Sequence, residues 1–333
     1  MDVDEQNPTS SPQTVAHWPA CPVTDPKERP GDQFYEEITL PHWNHESYPH
    51  TGVTVHVSNT FGLSFKADNV PPNIIILSLD STFFLAHCHK LLTSSNNNFG
   101  CLISPTYGAV CNNVDVDALE LCLPESASVL NLLLCTVYGF TCEQYLPPFE
   151  SLLDALEALK KYGFSLPRYL LPGLPLYNAF LDHVPLHPLE TYAIAAENDL
   201  EDLAVVSSSY TLDSTVHSIP DGPIPRIGFI YFQRLYKLHD TRMKTLRGLF
   251  NVELLPHTAK PYCSPWNRHV TSKAFLFAGM QIYYNATPGM PGLDIVRTMA
   301  DLSSALSCPD CKQSVDTRTA QIVRDWVSLK RTV

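Results

Sequence analysis

The chain has 333 residues, a formal net charge of −12 and a hydrophobic content of 44%. That is enough chain for two domains of ordinary size, with an ordinary globular composition. The acidic balance disfavours a nucleic-acid partner, and no apolar run approaches the ~20 residues a membrane helix needs, so neither nucleic acid nor membrane is expected to be bound.

Residues 1–33 carry Pro8, Pro12, Pro19, Pro22, Pro26 and Pro30 among Ser, Thr, Gln and Asp, the composition of a disordered tail. The opening Met1-Asp-Val-Asp-Glu5 is acidic and unlike a secretory signal. The ten cysteines, Cys122 and Cys135 among them inside apolar stretches, therefore read as reduced core thiols of a cytoplasmic or nuclear protein. Residues 34–61 form an N-terminal extension with a short strand, where Val53, Val55 and Val57 alternate with Thr54, His56 and Ser58. Asn73-Ile-Ile-Ile-Leu-Ser-Leu-Asp-Ser81 reads as a strand covered on both faces, closed by a turn at Asp80-Ser81. A buried helix is expected from Thr82 to Phe99, carrying Phe84, Ala86, His87, Leu91, Leu92, Ser95 and Phe99. Residues 100–117 read as an irregular loop, and Ala118 to Leu123 as a second strand. Pro124-Glu125 then opens a helix through Val129–Tyr138, apolar nearly all round and so expected in a core.

Pro147-Pro148 starts an amphipathic helix with Phe149, Leu152, Leu153, Leu156, Leu159 and Tyr162 on one stripe and Gly163 as its stop. One further helix is expected from Pro188 to Glu197. Asn198-Asp199 breaks it, and another begins at Leu200. Residues 207–225, with Ser207-Ser-Ser209 and Pro220, Pro223 and Pro225, read as a linker or surface loop. Ile227 to Phe250 mixes aromatic and basic residues on a helix whose better reading is packing rather than RNA contact. Ala300–Leu306 looks helical, and the last helix is expected from Thr317 to Lys330.

Phe84, His87, Leu91 and Ser95 stand in a spacing of Phe, two residues, His, then Leu and Ser four apart, with Phe99 one residue late. Val129-Leu130, Leu133-Leu134 and Val137-Tyr138 repeat an apolar pair every four residues. In its flanks the chain resembles the fungal BTB proteins, and in both of these segments it resembles the members of the BTB/POZ domain family at large. It departs from them at Cys88, at Asn73 and at Asn96-Asn-Asn98. The resemblance implies an α+β fold with a BTB/POZ-like domain at 62–145, BACK-like helices at 146–206 and, beyond the 207–225 linker, a helical C-terminal region at 226–333. It also implies a non-catalytic protein with protein partners, a homodimer paired through its first helix and N-terminal segment, where Phe34-Tyr35 and the Val53-Val55-Val57 face are candidates. Recruitment of cullin-3 is a narrower implication. Cullin-binding members often carry a hydrophobic-x-Glu motif, and residues 96–115 contain no Glu. His87, in this pattern, is a core residue hydrogen-bonded within its domain.

Cys308-Pro-Asp-Cys311 is the sharpest local motif, because two thiolates separated by two intervening residues reach one tetrahedral zinc from a tight turn. Two more ligands are required; Cys263 and His269 are the candidates, with His257 a spare. A redox pair would want a strand before it and a helix after, and a purely structural pair needs neither. A nucleophile formed by Cys311 or Cys88 with a His is the enzymatic alternative. Neither a Gly-x-Gly-x-x-Gly nor a Walker pattern occurs.

Overall fold

The computed structural model describes residues 35–40, 53–67, 70–105, 118–141, 147–213, 224–255 and 257–333. The tail expected at 1–33, Phe34 and most of the loop at 100–117 lie outside the described residues. Among the described residues the fold is mixed α+β, with eleven α-helices and one small five-stranded sheet. No helix among them is long and apolar enough to cross a membrane.

The strands are β1 (Tyr35–Leu40), β2 (Val53–Ser58), β3 (Ile74–Leu77), β4 (Thr82–Ala86) and β5 (Leu119–Cys122). Their order across the sheet is β1-β2-β4-β3-β5, with β1–β2 and β3–β4 antiparallel and β2–β4 and β3–β5 parallel. The segment from Thr82 to Ala86, expected to be helical, is therefore a strand. It is the return arm of a hairpin, pairing Ile74 with Ala86 and Leu77 with Phe83. The turn is held by Ser78, whose hydroxyl accepts from Thr82 N–H (2.9 Å) and donates to Asp80 Oδ1 (2.6 Å). Burial alternates along β3 and β4, so Ile74, Ile76, Phe84 and Ala86 are fully buried while Ile75 and Leu85 are half-buried. The sheet is thus fully covered on one face rather than on both.

Helix α1 (Cys88–Ser94) follows directly, its first N–H served by Asn73 Oδ1, which accepts from Cys88 at 2.8 Å. Ser95 ends it and fixes what comes next: its Oγ accepts from Phe99 N–H (2.8 Å) and donates to the Tyr162 carbonyl (2.7 Å). Asn98, Phe99, Gly100 and Cys101 all take φ between 55° and 67°, a left-handed turn in place of further helix. Phe99 is thereby buried and stacks on Tyr162, ring centroids 4.4 Å apart. Gly163 must be glycine here, since its φ is +76° and a Cβ would lie 2.3 Å from Asn97 Oδ1.

Helix α2 (Ala127–Tyr138) is capped at its start by Asp80, which accepts from Ala127 N–H at 2.8 Å. Leu130, Leu133, Leu134 and Cys135 are buried on it, while Val137 is half-buried. Cys122, by contrast, is exposed on the outer face of β5, because inward and outward positions alternate along a strand. His87 is fully buried, and Tyr138 OH meets both its backbone N–H (2.9 Å) and ring Nδ1 (3.0 Å) while Nε2 lies 2.9 Å from the Val70 carbonyl. The amphipathic helix α3 (Phe149–Lys161) buries Phe149, Leu152, Leu156 and Leu159. Short helices α4 (Leu166–Tyr169) and α5 (Pro175–His183), α6 (Pro188–Glu197) and α7 (Glu201–Tyr210) complete the first core. Ser207–Ser209, expected in a linker, belong to α7, where Ser207 is buried and donates back to the Leu203 carbonyl (2.7 Å).

Helix α8 (Ile224–Phe250) breaks at Gly228, whose φ of 68° and ψ of 162° only glycine adopts easily. Its Leu235 lies in the first core and its Leu246 in a second, built with α9 (Pro265–Asn285), α10 (Gly292–Ala305) and α11 (Pro309–Val327). Phe250, Phe275, Ile295, Met299, Ile322 and Trp326 are the main contributors to that second core. Arg242 stacks over Trp326 (4.4 Å) and donates to the carbonyls of Pro288, Leu329 and Lys330, tying down the C-terminus.

Candidate metal centre

Three short backbone devices at the end of the second core bring four donors together. After α8 the chain reaches His257 and then a tight turn, in which Cys263 N–H donates to the Lys260 carbonyl (3.1 Å). Ser264 then caps α9, its Oγ accepting from Asn267 N–H (3.1 Å), so Cys263 is the last residue before that helix is committed. On the other side α10 ends at Leu306, Cys308 is the N-cap of α11, Pro309 takes the first position and Cys311 follows in the first turn. Proline suits that first position because its N–H would have no partner there.

Cys263, Cys308 and Cys311 are buried, and His257 is half-buried with them. Their four donor atoms all lie within 4.8 Å of one another. Cys263 Sγ is 3.7 Å from Cys311 Sγ, and Cys308 Sγ is 3.5 Å from His257 Nε2. A tetrahedral zinc with ordinary Zn–S and Zn–N bonds sets sulfurs about 3.8 Å apart and sulfur and nitrogen about 3.6 Å apart, so these two edges already match. A disulfide would instead bring two sulfurs to about 2.05 Å. The cluster can therefore hold a metal ion.

The surroundings prepare these groups as ligands. His257 Nδ1 lies 2.6 Å from the Thr258 carbonyl, to which it donates, leaving the Nε2 lone pair facing the sulfurs. Burial pushes the Cys308 thiol up, but backbone N–H groups at Cys311 and Asp310 and the two neighbouring thiols outweigh it and bring it down to about 7. This is the effect of a helix N-terminus on a thiolate. Burial, then the sulfurs of Cys308 and Cys311, push Cys263 up to about 12. Three thiolates in so small a volume are stable only with a cation among them. Asp310 sits 4.0 Å from His257 Nδ1, accepts a hydrogen bond from Tyr262 OH and lies 3.5 Å from Lys260 Nζ. Arg268 donates to the His257 carbonyl (3.1 Å), placing a guanidinium beside a site whose zinc form would carry a net negative charge.

Of the four residues expected from sequence, the structure brings together Cys263, Cys308 and Cys311 and leaves out His269. His269 lies in the first turns of α9, exposed, with its ring against Trp266 at 6.3 Å. Pro265 starts the helix, and a residue one turn into it points away from the Lys260–Cys263 turn. His257, the spare candidate, takes its place, upstream of Cys263 across the turn at Lys260–Cys263. The cysteine pair has a helix on each side, α10 before and α11 after, rather than a preceding strand. At the other candidate, both ring nitrogens of His87 have partners and Cys88 is fully buried.

Comparison of the chain with protein-family models, with curated proteins and with solved structures gives no match.

Proposed function

We propose that this chain is a non-catalytic interaction protein, in which a BTB/POZ-like domain binds protein partners and a C-terminal helical module is locked by one structural zinc ion. The ion is held by His257, Cys263, Cys308 and Cys311. The observation that carries the zinc reading is the completeness of the donor set: three thiols and one imidazole from the protein itself, with two edges of tetrahedral length. A catalytic zinc keeps one coordination position for water or substrate, and a site of four protein ligands does not. Support for the BTB/POZ-like reading comes from the run of hairpin, helix, parallel strand and helix over β3, β4, α1, β5 and α2. The internal bonding of His87 and the burial of Phe84, Leu91 and Phe99 agree with the spacing on which the resemblance rests.

Elemental analysis of chain purified from zinc-supplemented medium is expected to find one zinc per molecule, retained in His269→Ala and lost in His257→Ala. Cross-linking mass spectrometry of captured partners should place their contacts on residues 53–141. Turnover by a metal-loaded, thiol-reactive Cys308 or Cys311 would instead overturn the non-catalytic reading.

A further inference from the structure

Helix α9 is apolar on two opposite sides. One side, Phe275, Ala278, Gly279 and Ile282, is buried in the second core, with Gly279 so close to Phe250 that an added Cβ would lie 2.6 Å from its ring. The other side presents Trp266 (71% exposed), Val270 (44%), Phe277 (71%), Met280 (70%) and Tyr284 (88%) to solvent. No aspartate or glutamate occurs anywhere from 265 to 285. Nothing in the metal centre or the first core requires this second apolar stripe.

We propose that this face is where two copies of the chain pair, α9 against α9, antiparallel about a two-fold axis at the level of Phe275. Three observations favour a second copy as the occupant. The first is area. At 150–250 Å² for a whole aromatic side chain, the exposed fractions of these five residues sum to roughly 600 Å² per copy. Two copies would remove about 1,200 Å² from water, the lower end of a stable specific interface, whereas a patch this size is at the limit of what a monomer leaves exposed.

The second is chemical complementarity with itself. Any helical stripe can be laid on its own copy, but not every one avoids setting like on like. Here the two-fold sets Trp266 against Tyr284, Val270 against Met280, and His269 against Gln281. Lys273 falls on Phe277, where an ammonium over an aromatic face is favourable. A parallel arrangement would stack Lys273 on Lys273 and align the helix dipoles unfavourably.

The third is charge. Each copy carries a net charge of −12, so two copies meet with least repulsion across a face that has no carboxylate. An acidic peptide would find only Lys273, with the His269 imidazole beside the stripe, to meet its carboxylates. A membrane-surface helix carries several Lys or Arg flanking its apolar side, whereas α9 has only Lys273 in the middle of the stripe and Arg268, which is turned to the His257 carbonyl. This pairing uses a different surface from the N-terminal one implied by the BTB/POZ resemblance, and it depends on neither that resemblance nor zinc.

The test uses the full chain at micromolar concentration. Sedimentation should show self-association, and Phe277→Glu with Met280→Glu should weaken it at least tenfold, with far-ultraviolet circular dichroism and metal content unchanged. Single variants Val270→Cys and Met280→Cys, mixed under mild oxidation, should form a cross-link mapped by mass spectrometry to 270 and 280, with no 270–270 or 280–280 product. This second arm stands even if the charged variant folds poorly. A monomeric parent chain would overturn the proposal, as would association unaltered by the double substitution, which would place the contact elsewhere. Binding of a monomeric parent to phosphatidylserine vesicles, lost in the double variant, would assign the stripe to a lipid surface and also overturn it.

Discussion

Replacing Cys311 with Ser takes one of four donors from the proposed zinc site, which would clip together two distant parts of the chain. Cys263 and Cys311 are 48 residues apart in sequence, and the segment between them contains all of α9 and α10. Treating the metal as a cross-link that closes this loop, the chain-entropy expression gives about 4 kcal/mol of stabilisation at 25 °C. The second core spans Leu246 to Trp326, and for a unit of that size each kcal/mol moves the midpoint by roughly 4–8 °C. Loss of the clip is therefore expected to lower the thermal midpoint of the C-terminal unit by roughly 15–30 °C. Calorimetry on zinc-loaded chain, on chain stripped with a strong chelator and on Cys311→Ser should show the same lowered transition in the last two. His257→Ala should behave likewise, and His269→Ala should match the parent. The reasoning is refuted if stripped and loaded chains unfold within about 2 °C of each other, because a closed four-ligand site cannot be energetically silent.

Two further substitutions probe the first core. Leu134→Asp puts an unpaired carboxylate at a fully buried position of α2, costing roughly several kcal/mol, and a soluble variant with parent-like urea unfolding would defeat the packing described for that helix. Tyr138→Phe leaves the backbone N–H of His87 without its acceptor in a buried setting. The expected cost is about 1–3 kcal/mol, read as a lower denaturation midpoint at unchanged slope.

Elements with one clear apolar stripe were legible from sequence. Helix α3 falls where Phe149, Leu152, Leu156 and Leu159 recur, and α6 runs from Pro188 to Glu197 as read. Strand β4 was not legible as a strand, because Phe84, Ala86 and His87 suit a helical spacing as well as an alternating one. Only the pairing of Ile74 with Ala86 decides between them, and that contact is not local. Helix α9 escaped for the opposite reason: with Phe275 and Ile282 on one side and Phe277 and Tyr284 on the other, it has no polar face to mark its period. Helix α11 starts at Pro309, eight residues before the expected Thr317, because Pro309 and the cysteine pair have the composition of a turn while proline is at home in a first helical turn. Three of the four donors of the candidate centre were legible as such, since a Cys-x-x-Cys pair suggests metal-ligand chemistry by its spacing. Its imidazole was not, because the choice between His257 and His269 depends on which side of the Ser264 cap each one falls.

Helix α8 carries the consequence of joining two cores, and His239 lies on it between Leu235 of the first and Leu246 of the second. The ring is buried, its Nε2 3.1 Å from Thr211 Oγ1, while Nδ1 has no hydrogen-bond partner among the described residues. Thr211 Oγ1 already donates to the Ser208 carbonyl, so the hydroxyl oxygen accepts and His239 is the neutral Nε2–H form. Protonation would bury an unanswered N–H beside the Arg242 guanidinium. Burial, then Arg242, accordingly push the imidazole down to about 4. In the unfolded chain a histidine titrates near 6.5, so between about 6.5 and 4 the unfolded state binds more protons and the folded state loses ground as pH falls. The full effect is about 3 kcal/mol, absent above pH ~7 and complete near pH ~4. Acid also strips metal from thiolates, so the informative quantity is the difference between the parent and His239→Gln at each pH. That difference should shift by roughly 2.4 kcal/mol in favour of the variant between pH 7 and pH 4.5, measured by denaturant unfolding. A His239 ring signal that titrates with a midpoint near 6.5 in the folded protein would show the site to be open to water, and the argument from burial would fall.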